Sequence, residues 1–167
     1  MIAKERSIPI KVLANEALLR RISPHLEIWQ VIEKDLAKRK AGHRGEVATD
    51  YYINKLPDKE FTILKGLRIW NGQEYFQIDT LVLSPTFALI LETKNISGTL
   101  FFDSKFKQLI RYLNDNEDGF LDPITQAERQ KREFRNWLHQ RNISIPIEYL
   151  VVISNPTTVI KTDPKNH

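Results

Sequence analysis

Cysteine is absent from the 167-residue chain. That excludes disulfides, a cysteine nucleophile and any Cys-ligated zinc or iron–sulfur centre. It suits a reducing compartment, and a cytoplasmic location is the expectation. Long hydrophobic runs are missing too. The start, MIAKERSIPIKVLANEALLRRIS, is charged throughout and has no unbroken apolar core of the secretory kind. No stretch approaches the ~18–20 apolar residues of a membrane span, so no membrane partner is expected. Internal repeats, low-complexity blocks, a phosphate-cradling glycine loop and a serine–histidine triad pattern are likewise not found. The histidines, His25, His43, His139 and His167, show no metal-ligand spacing.

What is present is ordinary for a globular chain: 41% hydrophobic and 28% charged residues. The length suffices for one sizeable core. The net charge is +4, from 25 Lys and Arg against 21 Asp and Glu. So mild an excess permits a polyanionic partner without requiring one.

The N-terminal third patterns as helix. Lys11 to Arg21 carries Val12, Leu13, Ala17, Leu18 and Leu19. Ser23-Pro24 has the form of an N-cap followed by proline at the first helical position. That predicts a helix to about Lys40, with Trp29, Ile32 and Leu36 on one face. The end, KRKAG, has cations and then glycine, which predicts a stop. A new helix is expected from His43-Arg44-Gly45-Glu46, ending at Pro57-Asp58. From Phe61 the period changes. FTILKGLRIW, EYFQIDTLVL and FALILETK read as strands, the first two joined through Asn71-Gly72, a hairpin signal. TLFF and FKQLIRYL add shorter strands. Asp122-Pro123 opens a helix to about Gln140, and IEYLVVIS is a final strand. The expected order is α-α-β-β-β-(β)-α-β.

One hairpin concentrates the chemistry. Glu92 and Lys94 are two apart on a strand and share a face. The preceding FALIL is almost wholly apolar, as in a strand covered on both faces. Charges emerging there are costly unless paired or bound to an ion. With the turn centred on Pro85-Thr86, Ser84 faces Phe87 and, by the same count, Asp79 faces Glu92. An odd-length loop places the two carboxylates on opposite faces instead. Facing carboxylates repel at ~5 Å, and a divalent cation reverses that sign. Hard oxygen ligands suit Mg²⁺ or Mn²⁺. Metal-assisted phosphodiester hydrolysis needs an activated water and a cation near the phosphate oxygens, and Lys94 supplies the latter. The plainer reading of the E-x-K triplet is a solvated strand end.

Ile78-Asp79, then Glu92-Thr93-Lys94, resembles the PD-(D/E)-x-K core of restriction-endonuclease-like nucleases. More narrowly, Gly42-His43-Arg44-Gly45-Glu46, Gln77-Ile78-Asp79, Leu91-Glu92-Thr93-Lys94 and Asp122-Pro123-Ile124-Thr125-Gln126 resemble the nuclease-related domain family over about Gly42 to Ser154. The proline of the motif is replaced by Ile78. The resemblance implies an α/β fold: a mixed central sheet flanked by helices. It divides the chain into a helical extension, 1–41, and a nuclease-related domain, 42–167. It also implies Glu46 as a third acidic ligand beside Asp79 and Glu92, and Gln126 as a polar contributor. The plainer readings are a helix-start carboxylate for Glu46 and a solvated amide for Gln126.

Arg44, Arg129 and Arg132 are candidate nucleic-acid contacts, through phosphates, which supply most non-specific affinity. Lys131 and Arg135 share the helix of Arg129, and Lys38, Arg39 and Lys40 cluster near Glu46. Such runs are more often solvated faces. The expected function is a Mg²⁺- or Mn²⁺-dependent nuclease acting on DNA. The alternatives are a non-cleaving nucleic-acid-binding module and a protein-interaction or regulatory domain. The ending KTDPKNH follows a strand closely, from which further C-terminal domains are expected.

Overall fold

The computed structural model describes residues 1–162. The last residues of KTDPKNH, and His167 with them, lie outside that range. The elements in order are β1 (Ile2–Lys4), α1 (Ile10–Leu19), α2 (Glu27–Ile53), β2 (Thr62–Trp70), β3 (Tyr75–Leu83), β4 (Ala88–Lys94), β5 (Thr99–Asp103), β6 (Gln108–Leu113), β7 (Asn116–Leu121), α3 (Pro123–His139), β8 (Ile147–Ile153) and β9 (Val159–Thr162). A mixed five-stranded sheet runs β1-β2-β3-β4-β8, with β1–β2 and β4–β8 parallel and the inner pairs antiparallel. A second sheet runs β7-β6-β5-β9. The α/β class with a mixed sheet flanked by helices is therefore observed. Among the described residues, no helix is long and apolar enough to cross a membrane.

Helices cover both faces of the main sheet. Phe134 and Leu138 of α3 pack with Ile69, Phe76, Ile78, Leu81, Ala88, Ile90 and Ile147. On the opposite face Ile63, Val82 and Leu91 meet Ile53 and Leu56, at and just beyond the end of α2. This double cover explains the unbroken apolar run of β4. Asp122 caps α3 as expected: its oxygens accept the N–H groups of Ile124 at 3.2 Å and Thr125 at 3.0 Å.

The helical third departs from expectation in two places. The Ser23-Pro24 start is corrected to Glu27. Ser23 Oγ accepts from His25 N at 3.4 Å and its carbonyl from Leu26 N at 3.2 Å, so the pair forms a turn rather than a cap. The stop at Gly42 and restart at His43 are also corrected, because α2 runs unbroken through both. A glycine stop needs positive φ, and neither Gly42 nor Gly45 has it. Leu36, Gly45, Thr49 and Asp50 instead form one buried stripe across that point. Glycine costs ~1 kcal/mol in a helix interior, which packing of this stripe outweighs.

Three strands escaped the sequence. β1 has three residues and β9 four, too short for an alternation signal. β7, NEDGFL, has little apolar pattern and returns from β6 through Asn114 and Asp115. Both have positive φ, 50° and 61°, the signature of a two-residue I′ turn.

Candidate active site

The β3–β4 hairpin has the even register. Thr80 pairs with Leu91 and Leu83 with Ala88, around the Ser84–Phe87 turn closed by Ser84 N to Phe87 O at 2.9 Å. The same register, continued one step past Thr80–Leu91, sets Asp79 beside Glu92. The backbone ladder ends there and a side chain takes over: Thr93 N donates to Asp79 Oδ2 at 3.1 Å.

Strand alternation shifts at Asp79. Ile78 and Leu81 both pack on the α3 side, whereas Val82 packs on the α2 side, where Thr80 meets Arg6. In β2 the residue facing Asp79 in the same register is Gly66, whose φ of 56° suits glycine. Asp79 thus stands at the crossover, between a helix on each face.

Glu92 is buried on the α3 side. Lys94 Nζ lies 2.7 Å from its Oε1, and Gln130 Nε2 donates to its Oε2 at 2.6 Å. The Lys94 side chain keeps 23% of its exposure while paired in this way. Gln126 lines, with Glu92, Gln77, Arg129 and Gln130, a cavity of about 250 Å³. The buried side-chain oxygens of Gln126 and Gln130 have no hydrogen-bond partner among the described residues, nor does Thr93 Oγ1. Orphaned buried acceptors beside a cavity are rare in native proteins and suit a polar ligand.

Glu46 comes from α2, and Gly45 explains how it gets there. A Cβ at residue 45 would collide with Asn95 Cβ and stand 2.6 Å from Ser154 Oγ. Only glycine lets α2 approach the ends of β4 and β8 so closely. Asn95 Nδ2 ties the same point by donating to Ala41 O at 2.7 Å.

Sequence reasoning missed the partner of Glu46. Arg6, which follows β1, is buried and ion-paired to Glu46 through Nη1. Its Nε and Nη2 grip Asp50 at 2.9 Å each, and Nη2 also reaches Thr80 Oγ1 at 2.9 Å. Behind it, Lys65 is only 2% exposed, 3.0 Å from Glu5 and 3.9 Å from Asp50. One signal was available: Asp50 lies four residues after Glu46 and must share its helix face.

The electrostatics follow. Burial, then the charges of Glu92 and Glu46, push the Asp79 carboxyl up to about 7, against the Thr93 N–H and Lys94. Burial also raises Glu46, opposed by Arg6 and His43. A donor set of hard oxygens short of one positive charge fits a divalent cation. Asp79 and Glu92 are the pair that would hold it. No three His, Asp or Glu among the described residues come together as a ready-made metal cage, and Glu46 is engaged by Arg6.

The cationic candidates scatter. Arg129 edges the Glu92 cavity and is 2.8 Å from Glu74. Arg132 is exposed on α3, and Arg44 is exposed on α2, two residues from Glu46. Lys131 is paired with Glu148, Arg39 with Asp35 and Lys40 with Glu16. Arg44 belongs to α2, and Arg129 and Arg132 belong to α3.

The nuclease-related domain profile matches residues 41–154, which include Glu46, Asp79, Glu92, Lys94, Gln126 and Gln130. An uncharacterised protein of Bacillus anthracis is 24% identical over 135 residues, covering 80% of this chain. The chain spans 62% of that protein's length. No solved structure gives a significant match. With that profile matching most of its length, the chain belongs to the nuclease-related domain family, within the PD-(D/E)XK restriction-endonuclease-like superfamily.

Proposed function

We propose that this protein is a Mg²⁺- or Mn²⁺-dependent nuclease that hydrolyses phosphodiester bonds of DNA. The observation carrying the proposal is that Asp79, Glu92 and Lys94 converge where β4 leaves a fully covered sheet, with the Asp79 carboxyl raised to about 7. Asp79 and Glu92 would hold the ion. When bound, it supplies Lewis acidity that activates the attacking water and offsets charge on the phosphate.

The chain's own groups do the rest. Lys94 already stands against Glu92, and its exposed side faces solvent where a phosphate oxygen would carry developing charge. Gln130 fixes the Glu92 carboxylate by donating from its amide nitrogen to Oε2, while Oε1 pairs with Lys94. Gln126 offers an unpartnered carbonyl oxygen to a nucleotide N–H or to the water. The Asp79 carboxyl, pushed up to about 7 by burial and its acidic neighbours, is a group that can hold or give up a proton at the site. In the net reaction water oxygen bonds to phosphorus, the bond to one sugar oxygen breaks, and that oxygen takes up a proton.

A second reading is favoured by one observation. Both oxygens of Glu92 are engaged by Lys94 and Gln130, and Glu46 is engaged by Arg6. A domain that binds nucleic acid without cutting it would tolerate that state permanently. Incubation with plasmid, linear DNA and RNA across a Mg²⁺ and Mn²⁺ series separates the two. Turnover that EDTA stops supports the nuclease; salt-sensitive binding with no turnover at any metal concentration supports the binding module.

A further inference from the structure

A second cavity, about 500 Å³, opens between the N-terminal segment and Glu46. Arg6, Lys11, Arg39 and Arg68 line it, and Glu46 is the one carboxylate among its walls. Gln77 lines this cavity and the smaller one beside Glu92. Its Nε2 is 3.5 Å from Asp79 Oδ1. Gln77 is therefore a wall shared by the two cavities, and it stands beside Asp79.

The charges in the larger half are not equivalent. Arg6 is consumed by Glu46 and Asp50, and Arg39 by Asp35. Among the described residues, Lys11 and Arg68 have no carboxylate ion-pair partner; the Arg68 guanidinium sits 5.4 Å from the centre of the Tyr75 ring. Pro9 precedes α1 and no side chain caps its first turn, so the amide dipoles there add to the positive field. A hollow of this size, walled by four cations and one carboxylate and with Lys11 and Arg68 outside any close ion pair, has the chemistry of a backbone-phosphate subsite.

We propose that this hollow binds the sugar-phosphate backbone of the nucleic-acid strand on one side of the scissile bond, with Lys11 and Arg68 as the contact cations. Its floor and rim come partly from residues 6–11, in front of the family domain, so the N-terminal segment is part of the substrate site. The placement of the scissile bond rests on the nuclease reading; the subsite itself does not.

The test is fluorescence anisotropy with a labelled single-stranded oligodeoxynucleotide in EDTA over a KCl series, using the full chain. Lys11→Ala/Arg68→Ala should weaken binding about fivefold or more at low salt. It should also reduce the slope of log affinity against log salt by roughly 1.4, two phosphate contacts' worth. Lys11→Arg/Arg68→Lys should restore both, with melting temperatures matching the parent throughout. Unchanged affinity and slope in the double alanine variant overturns the subsite, as does a parent that fails to bind at low salt. If the parent cuts nothing with any metal yet binding still depends on Lys11 and Arg68, the subsite stands and the nuclease reading falls. If cutting is metal-dependent and the double alanine variant binds as the parent does, the nuclease reading stands and the subsite falls.

Discussion

Lys94 and Glu92 lie on the same face of β4, with Nζ 2.7 Å from Oε1, and Gln130 holds the other oxygen of Glu92 from α3. The lysine is thus positioned by the carboxylate it neutralises, and the carboxylate by a helix that also walls the cavity. Replacing Lys94 removes the cation but leaves Glu92 hydrogen-bonded. Lys94→Ala should lower cleavage at least ~100-fold, with a thermal midpoint close to the parent's. A variant that cuts at the parental rate contradicts the assigned role.

Gln130 offers a subtler test. Gln130→Leu keeps side-chain bulk and removes the amide that orients Glu92. We expect about a 10- to 100-fold loss of cleavage, together with a higher requirement for metal. Loss of turnover with an unchanged metal midpoint would show that Gln130 acts elsewhere than on Glu92.

The raised Asp79 carboxyl gives a pH prediction. Its folded value is about 7 against an ordinary 3.8, so between these values the folded chain holds one proton more than the unfolded chain. The stability contributed by protonated Asp79 is complete below pH 3.8 and lost as pH rises through 7. In metal-free buffer Asp79→Asn should therefore gain on the parent between pH 5 and pH 8, by on the order of a few kcal/mol. Urea unfolding at both pH values reads this. A parent–variant difference that is flat with pH would contradict it. The same variant should lose any Mg²⁺- or Mn²⁺-induced rise in melting temperature.

Two glycines on α2 should behave oppositely. Gly42→Ala enters open space and should stabilise by up to ~1 kcal/mol. Gly45→Ala drives a methyl into Asn95 and Ser154 and should destabilise by ~1–3 kcal/mol. It should also move Glu46, so activity should fall further than stability alone explains. Equal effects at the two positions would refute the close approach of α2.

The heart of the site was readable because its determinants are local. Strand period, an even turn and an apolar run set Asp79 beside Glu92, and the turn at Ser84–Phe87 has that parity. What was not readable depends on distant pairs. Arg6 reaches Glu46 and Asp50 across 40 and 44 residues, and no periodicity connects them. The face shift at Asp79 stands opposite Gly66, an ordinary strand glycine until its positive φ is known. The continuous α2 hid behind a glycine that ends a helix only when it turns left-handed. β1, β7 and β9 were invisible because short or polar strands owe their existence to neighbours rather than to pattern.

The central claim is that Asp79, Glu92 and Lys94 form a metal-dependent centre for phosphodiester hydrolysis. The most direct measurement is nicking of supercoiled plasmid by parent and Lys94→Ala across a Mn²⁺ and Mg²⁺ titration, each point repeated with excess EDTA. The predicted result is metal-dependent nicking by the parent that EDTA abolishes and Lys94→Ala lacks. Nicking that persists in EDTA, or that Lys94→Ala performs as well as the parent, would contradict it.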